Sequence, residues 1–436
     1  MDKFYAFIEN VFMKPMTKMA EQRHLKAVRD GMVSTIPLTI VGSFFLIIAF
    51  PPVPQGWKES MALFIWIQNN IGDILIPFRL SMGMVAVYAT YNIGHSLAKG
   101  YKLDGVSGGT LSLLAFFMSM IPSVATGSDG ASLGYVVPVS KLGGAGLFVG
   151  ILTAFIAVET MKLFRDRGIT IKMPEGVPES VARSFEALFP TVAVVILMWI
   201  VVVFLKFDIH NLFNAVFSPL TGLVDTPVGA VVLVLLITML WTAGIHGVSV
   251  IGAMARPIWL EMLTANADAM QAGAENLPYI TPEPFFQWFI WIGGSGGTLG
   301  LVIAMLFARS KYLKDLGRAS ILPAVFNINE PIIFGLPIML NPFFTIPFIL
   351  GPVLTTIITY TVMSMNLVAK PVILAPWTFP APIGAYLTTG GDIKAVLLCL
   401  FNIAFMGAIY YPFLKAYDKK MAAQEDEEIE SKGEVI

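Results

Sequence analysis

Apolar residues along this chain come in long unbroken runs rather than in alternation. Runs at 32–50, 76–98, 110–126, 142–164, 189–205, 227–245, 286–307, 344–368 and 395–413 each approach the ~20 residues that carry a helix across a bilayer. A membrane barrel would show ~10-residue segments of alternating hydrophobicity, and none is present. The pattern predicts an all-α polytopic membrane protein of about ten transmembrane helices, with re-entrant hairpins and interfacial amphipathic helices.

Polar and helix-breaking residues interrupt two of the apolar stretches. IHGVSVIGAMARPIWLEML carries Gly247, Gly252 and Pro257; ILPAVFNINEPIIFGLPIMLNP carries Pro323, Pro331, Gly335 and Pro337. Broken backbone at membrane depth survives only where protein or a water-filled cavity satisfies the freed groups. Paired interruptions of this kind point to a transporter's binding site. The first stretch is expected to cross, or to enter and turn, and the second to re-enter.

Lysine and arginine set the orientation. They cluster before residue 30, after the runs ending near 98, 164 and 307, and at Lys415, Lys419 and Lys420. The intervening loops PPVPQGW, ATGSDGASLGY and ANADAMQAGAENLPYITPEP have none. Both termini are therefore expected on the cytoplasmic side of a multi-pass protein of the cell membrane. Domain organisation follows: an amphipathic segment at 1–30, a transmembrane domain at 31–167, a linker at 168–188, a second transmembrane domain with both broken segments at 189–415, and an acidic tail at 416–436.

Composition agrees and excludes other classes. The chain is 56% hydrophobic and 13% charged, with net charge −1, and no basic patch is interleaved with aromatics as nucleic-acid binding would require. Its single cysteine, Cys399, lies in an apolar run and reads as a packed hydrophobe. No HExxH, Walker, GxSxG or Cys/His metal spacing occurs, so no metal or other cofactor is expected.

Candidate chemistry centres on FNINEPIIFG. Glu330, flanked by Asn327 and Asn329, is a carboxylate that is either neutralised structurally or set against a polyhydroxylated ligand, accepting a hydroxyl proton. His246, between Gly244 and Gly247, could orient a hydroxyl or steady a transferring group. Tyr88, Asn92 and His95 share one face of the second run, either as interhelical glue or as a wall of a sugar site. Trp241 and Trp377 are candidate platforms for pyranose rings or interfacial belt residues. Arg256 could pair with Glu330 or bind phosphate. A proton-coupled sugar symporter using Glu330 and a membrane scaffold remain as rival classes.

QRHLKAVRDGMVSTIPLTIVGS, KMPEGVPESVARSFEALFP, IHGVSV, NEPIIFGLPIMLNPFFTIPF and APIGAYLTTGGDIKAVLLCLFNIAFMGAIYYPFLK together resemble the lactose/cellobiose family of phosphotransferase-system enzyme IIC components. The resemblance implies a homodimer of ten-helix subunits, with an N-terminal dimerisation domain and a C-terminal sugar-binding domain. It implies uptake of β-linked disaccharides such as cellobiose, lactose or diacetylchitobiose. The sugar would be phosphorylated at its C6 hydroxyl by a phosphocysteine on a soluble IIB partner, supplied through IIA. The family's NEP glutamate corresponds to Glu330 and its hairpin histidine to His246, both implied to hold the reacting hydroxyl.

Overall fold

The computed structural model describes residues 22–51, 53, 55–120, 123–127, 130–171, 185–336, 338 and 342–433. The surface helix expected before residue 22 and most of the 168–188 linker lie outside them. Helix α1 (Arg23–Ser34) starts where the Gln22 side chain accepts the Leu25 N–H at 2.7 Å, and continues through Thr35 into α2 (Ile36–Ala49). Short helices over 55–74 lead to α3 (Ile76–Ser81), followed by α4 (Val85–Gly100) and α5 (Gly105–Met118). Asp104 caps α5 by accepting the Ser107 N–H. The run expected to span 110–126 ends early: α5 stops at Met118, and a two-stranded antiparallel hairpin follows, β1 (Ser123–Thr126) with β2 (Ser132–Val136).

Beyond α6 (Leu147–Asp166) come α7 (Leu188–Met198), α8 (Ile209–Val224), α9 (Pro227–Thr242) and α10 (Gly247–Gln271). Then follow α11 (Glu283–Phe289), α12 (Leu299–Met305), α13 (Lys311–Val325), α14 (Glu330–Gly335), α15 (Pro342–Ser364), α16 (Ala381–Thr388) and α17 (Ile393–Gly433). Among the described residues five helical stretches are long and apolar enough to cross a membrane, with shorter apolar helices at Gly105–Met118, Leu188–Phe204 and Pro227–Thr242. The protein is an integral membrane protein.

Side chains gather into two large cores. One holds α1, α4, α5 and α6 together, from Ala27 to Met161, and also takes in Val194, Met198, Val202 and Ile209. The other runs from Ala230 to Leu414. The 189–205 segment, assigned from sequence to the second domain, thus packs in the first core, because its buried face (Val194, Met198, Val202) meets the first domain's helices. A third cluster joins the halves, with Leu46, Phe78 and Met82 against Leu263, Ala267 and Ile373.

Two irregular segments differ from expectation. α10 runs unbroken through Gly252 and Pro257, and the break precedes it, at Ala243–His246. The freed carbonyl that Pro257 leaves is tolerated because protein surrounds the helix. Conversely, the apolar run 286–307 is no single span: WIGGSGGT splits it into α11 and α12. Gly293, Gly294, Gly296 and Gly297 there have φ of 77°, 96°, 90° and 65°, a backbone region that residues with a Cβ enter only at a cost.

Candidate functional site

The glycine loop between α11 and α12 closes on itself through the Gly294 and Gly297 N–H groups and the Thr298 hydroxyl, and is fixed in place by side chains from elsewhere. Asn327, itself left-handed at φ 62°, accepts the Gly293 N–H at 3.0 Å and donates to the Trp377 and Phe379 carbonyls at 2.9 Å each. Asn329 donates to the Ser295 carbonyl at 2.7 Å, and the Tyr410 hydroxyl donates to the Gly296 carbonyl at 2.8 Å. Asn402 donates to Phe289 O at 3.0 Å. Close packing demands the glycines: a Cβ on Gly294 would lie 2.4 Å from Asn329 Cγ, and one on Gly297 1.7 Å from Met406 Sδ. Three loops, 290–298, 326–330 and 376–380, are thereby locked into one hub.

That hub presents Glu330. The residue opens the six-residue helix α14, with Pro331 at the next position, and its side chain is exposed towards a cavity of about 740 Å³. Among the described residues the Glu330 carboxylate has neither a hydrogen-bond nor an ion-pair partner. It is the unspent acceptor of the site.

His246 faces the same cavity from the start of α10. Gly247 brings α10 hard against α9, since a Cβ there would sit 2.1 Å from the Ile237 carbonyl. The imidazole caps α10: Nδ1 accepts the Ser249 backbone N–H at 3.1 Å, with the Ser249 hydroxyl at 3.0 Å. A backbone N–H can only donate, so Nδ1 of the neutral ring carries no proton and Nε2–H is the free donor. The Trp241 ring lies 4.4 Å from the imidazole, centroid to centroid, and limits its tilt. Carboxylate and imidazole therefore offer complementary groups: one accepts, the other donates.

Trp241, Trp291 and Trp377 supply aromatic walls, while Val33, Ile36 and Ile40 of the first domain close the remaining side. The volume lies within the ~300–1,000 Å³ of small-molecule sites, apolar with a few convergent polar groups. Arg256 reaches the cavity but pairs with Glu283, Nε to Oε1 at 3.5 Å, and not with Glu330.

The sequence candidates divide cleanly. Glu330, His246, Asn327, Asn329, Trp241, Trp377 and Arg256 all line the cavity. Asn327 and Asn329, proposed from sequence as sugar ligands, are 7% and 4% exposed and spend their amides on backbone. They hold the site rather than greet a ligand. Tyr88, Asn92 and His95 are elsewhere: Tyr88 donates to the Leu80 carbonyl at 2.8 Å, Asn92 to the Tyr88 carbonyl at 2.9 Å, and His95 stacks on Tyr91 beside Gly105. These three form no wall of the cavity, because their face packs within the first domain. Glu283, Gln287, Trp291 and Ser295 were missed. For Trp291 and Ser295 the signal is the GGSGG interruption of an apolar run; Glu283 and Gln287 precede it on α11 and carry no such mark.

Comparison with known proteins agrees along the whole length. Residues 29–352 match the family described as "Phosphotransferase system, EIIC". The chain is 40% identical to the cellobiose-specific EIIC component of Geobacillus stearothermophilus, over 98% of this chain and 96% of that protein. It is equally 40% identical to the lichenan permease IIC component of Bacillus subtilis (strain 168), with the same coverage. Among solved structures it is similar to the IIC transporter of the N,N'-diacetylchitobiose-specific phosphotransferase system. There the TM-score is 0.90 at 40% identity, covering 96% of this chain and 99% of that one.

Proposed function

The chain belongs to the phosphotransferase system EIIC family, and we propose that it binds and translocates a β-linked disaccharide of the cellobiose and diacetylchitobiose class while a IIB partner phosphorylates it. One observation carries this reading: an unpaired carboxylate and a pinned Nε2–H donor face one aromatic-walled cavity. The tryptophans stack on the apolar faces of the pyranose rings. His246 donates to the oxygen of the C6 hydroxyl, and Glu330 accepts its proton. That oxygen attacks phosphorus, the phosphorus–sulfur bond of the partner's phosphocysteine breaks, and the thiolate leaves on the partner. Since Nδ1 of His246 is already engaged, Glu330 is the base.

Cys399 is fully buried and does not serve as the phosphoryl carrier. Lys311, Lys314 and Arg318 on α13, the helix leading to Glu330, suit the docking of an anionic phosphoprotein. Phosphate on the sugar adds about −1.5 to −2 charge near neutral pH, which prevents return across an apolar path. The reading includes a second copy of the chain, IIA acting upstream, lipid around the exposed apolar residues such as Val192, Ile196 and Val228, and a bacterial cytoplasmic membrane with both termini inside.

Equilibrium titration of the purified chain with cellobiose, lactose and diacetylchitobiose tests the substrate class. Tight binding of one of them, followed by phosphorylation only when phosphorylated IIB is added, is the expected result. Accumulation of free sugar under a proton gradient, with this chain alone in liposomes, would instead make Glu330 a coupling group.

A further inference from the structure

A second cavity, of about 620 Å³, lies between the two domains at the other end of α10. Its polar lining is Arg79, Ser140, Glu261, Thr264, Asp268 and Gln271, over apolar walls from Phe78, Leu80 and Met84. We infer that this cavity is an outer vestibule in which the arriving disaccharide binds before it reaches the site of Glu330 and His246; the inference rests on the transport reading above.

Orientation is the first support. Residues 76–84 precede α4, which ends at Gly100 beside Lys99 and Lys102, residues 139–145 follow the β-hairpin, and Gln271 precedes the lysine- and arginine-free loop 272–284. All three walls therefore sit on the side away from the basic clusters. α10 links the cavities in series. Its first turns carry His246, Val248 and Arg256 to the central cavity, and its last turns carry Glu261, Asp268 and Gln271 to the outer one. A small void lies between them, lined by Arg256, Trp259, Leu260 and Leu263 against Thr35 and Thr39 of the first domain.

Chemistry selects the occupant. Acyl chains would leave Arg79, Glu261 and Asp268 facing hydrocarbon, which is costly, so the cavity is wet. Glu261 and Asp268 stand two turns apart on α10, about 10.5 Å along its axis, too far to share one ion. That separation suits a ligand of two linked pyranose rings, each giving vicinal hydroxyls to a carboxylate. Glu261 accepts weakly from the Thr221 hydroxyl at 3.3 Å, and Asp268 has no partner among the described residues. Both keep acceptor capacity for hydroxyls. The seam is also close-fitting: a Cβ on Gly144 would meet Glu261 Cα at 2.8 Å. The first domain's loop thus bears directly on the helix that carries both sites.

The test uses right-side-out membrane vesicles holding the full chain with Ala265→Cys, a residue of the vestibule wall. The chain's own cysteine, Cys399, is buried and silent to an impermeant maleimide. External maleimide should label Ala265→Cys, and cellobiose should slow labelling about tenfold, the occupancy expected for one or two charge-assisted hydrogen bonds. The slowing should persist when His246→Ala and Glu330→Gln remove the central site. It should vanish with Glu261→Gln plus Asp268→Asn, a variant whose retained cellobiose binding at the central site certifies its fold. No labelling from outside, which a second copy or lipid over the cavity would cause, overturns the inference. So does labelling indifferent to cellobiose, or protection lost together with the central site. Failure of the central reading is separate: it would show as IIB-dependent phosphorylation of cellobiose that Glu330→Gln and His246→Ala leave unchanged.

Discussion

Two polar clusters lie in the apolar body of this protein, and only one of them lines the large cavity between Trp241 and Trp377. On α4, Tyr88 and Asn92 donate to carbonyls of their own domain, and His95 lies against Tyr91 and Gly105. Around the glycine loop, Asn327, Asn329 and Asn402 donate to backbone carbonyls and support Glu330, whose carboxylate has no hydrogen-bond or ion-pair partner among the described residues. Polar groups inside a membrane protein are thus of two kinds, those that repair backbone and those that the repaired backbone displays. Residue type does not separate them. Unspent capacity that opens onto a cavity does.

Removing the displayed group should give the largest effect. Glu330→Gln keeps the shape but loses the base, and IIB-dependent phosphorylation should fall about 10²–10⁴-fold. Cellobiose binding, measured by titration calorimetry, should weaken far less; equal losses in both would make the carboxylate a binding group. Next comes the scaffold. Asn327→Ala strands the Gly293 N–H and the Trp377 and Phe379 carbonyls, at a cost of about 3 kcal/mol or more, read as a lower thermal midpoint in detergent. Cellobiose binding should be lost with it, although the Asn327 amide is spent on backbone.

Smaller again is Gly297→Ala, which combines a left-handed backbone with a clash at Met406, at about 1–3 kcal/mol. Adding Met406→Ala should recover the part due to the clash and leave the part due to backbone strain. The smallest effect belongs to the other cluster. Tyr88→Phe should cost about 0.5–1.5 kcal/mol of stability and leave cellobiose affinity unchanged. A marked change in affinity would bring α4 into the sugar site after all and dissolve the contrast.

Asn327 and Arg256 illustrate how far local reading reaches. Each is visible in the sequence as a polar residue in a broken apolar stretch, and each does line the cavity. Their roles depended on partners far away: Asn327 on Gly293 and Trp377, Arg256 on Glu283. The same holds for α10, where Pro257 suggested a break that surrounding protein makes unnecessary, and for 286–307, where length suggested a span that Asn327, Asn329 and Tyr410 hold as a loop.

Sequence by itself determined the membrane character, the positions of most apolar helices, and the candidacy of Glu330 and of His246, each a group too polar for its neighbourhood to be incidental. These follow from hydrophobic run length and from helix-breaking residues, which are local properties of a chain in lipid. Tertiary structure alone decided which core the 189–205 helix joins, which asparagines bond backbone, and that Nδ1 of His246 is occupied, which leaves Nε2–H as its free donor. Hydrogen bonds saturate, and the partners that saturate them come from residues brought together only when the loops close on one another.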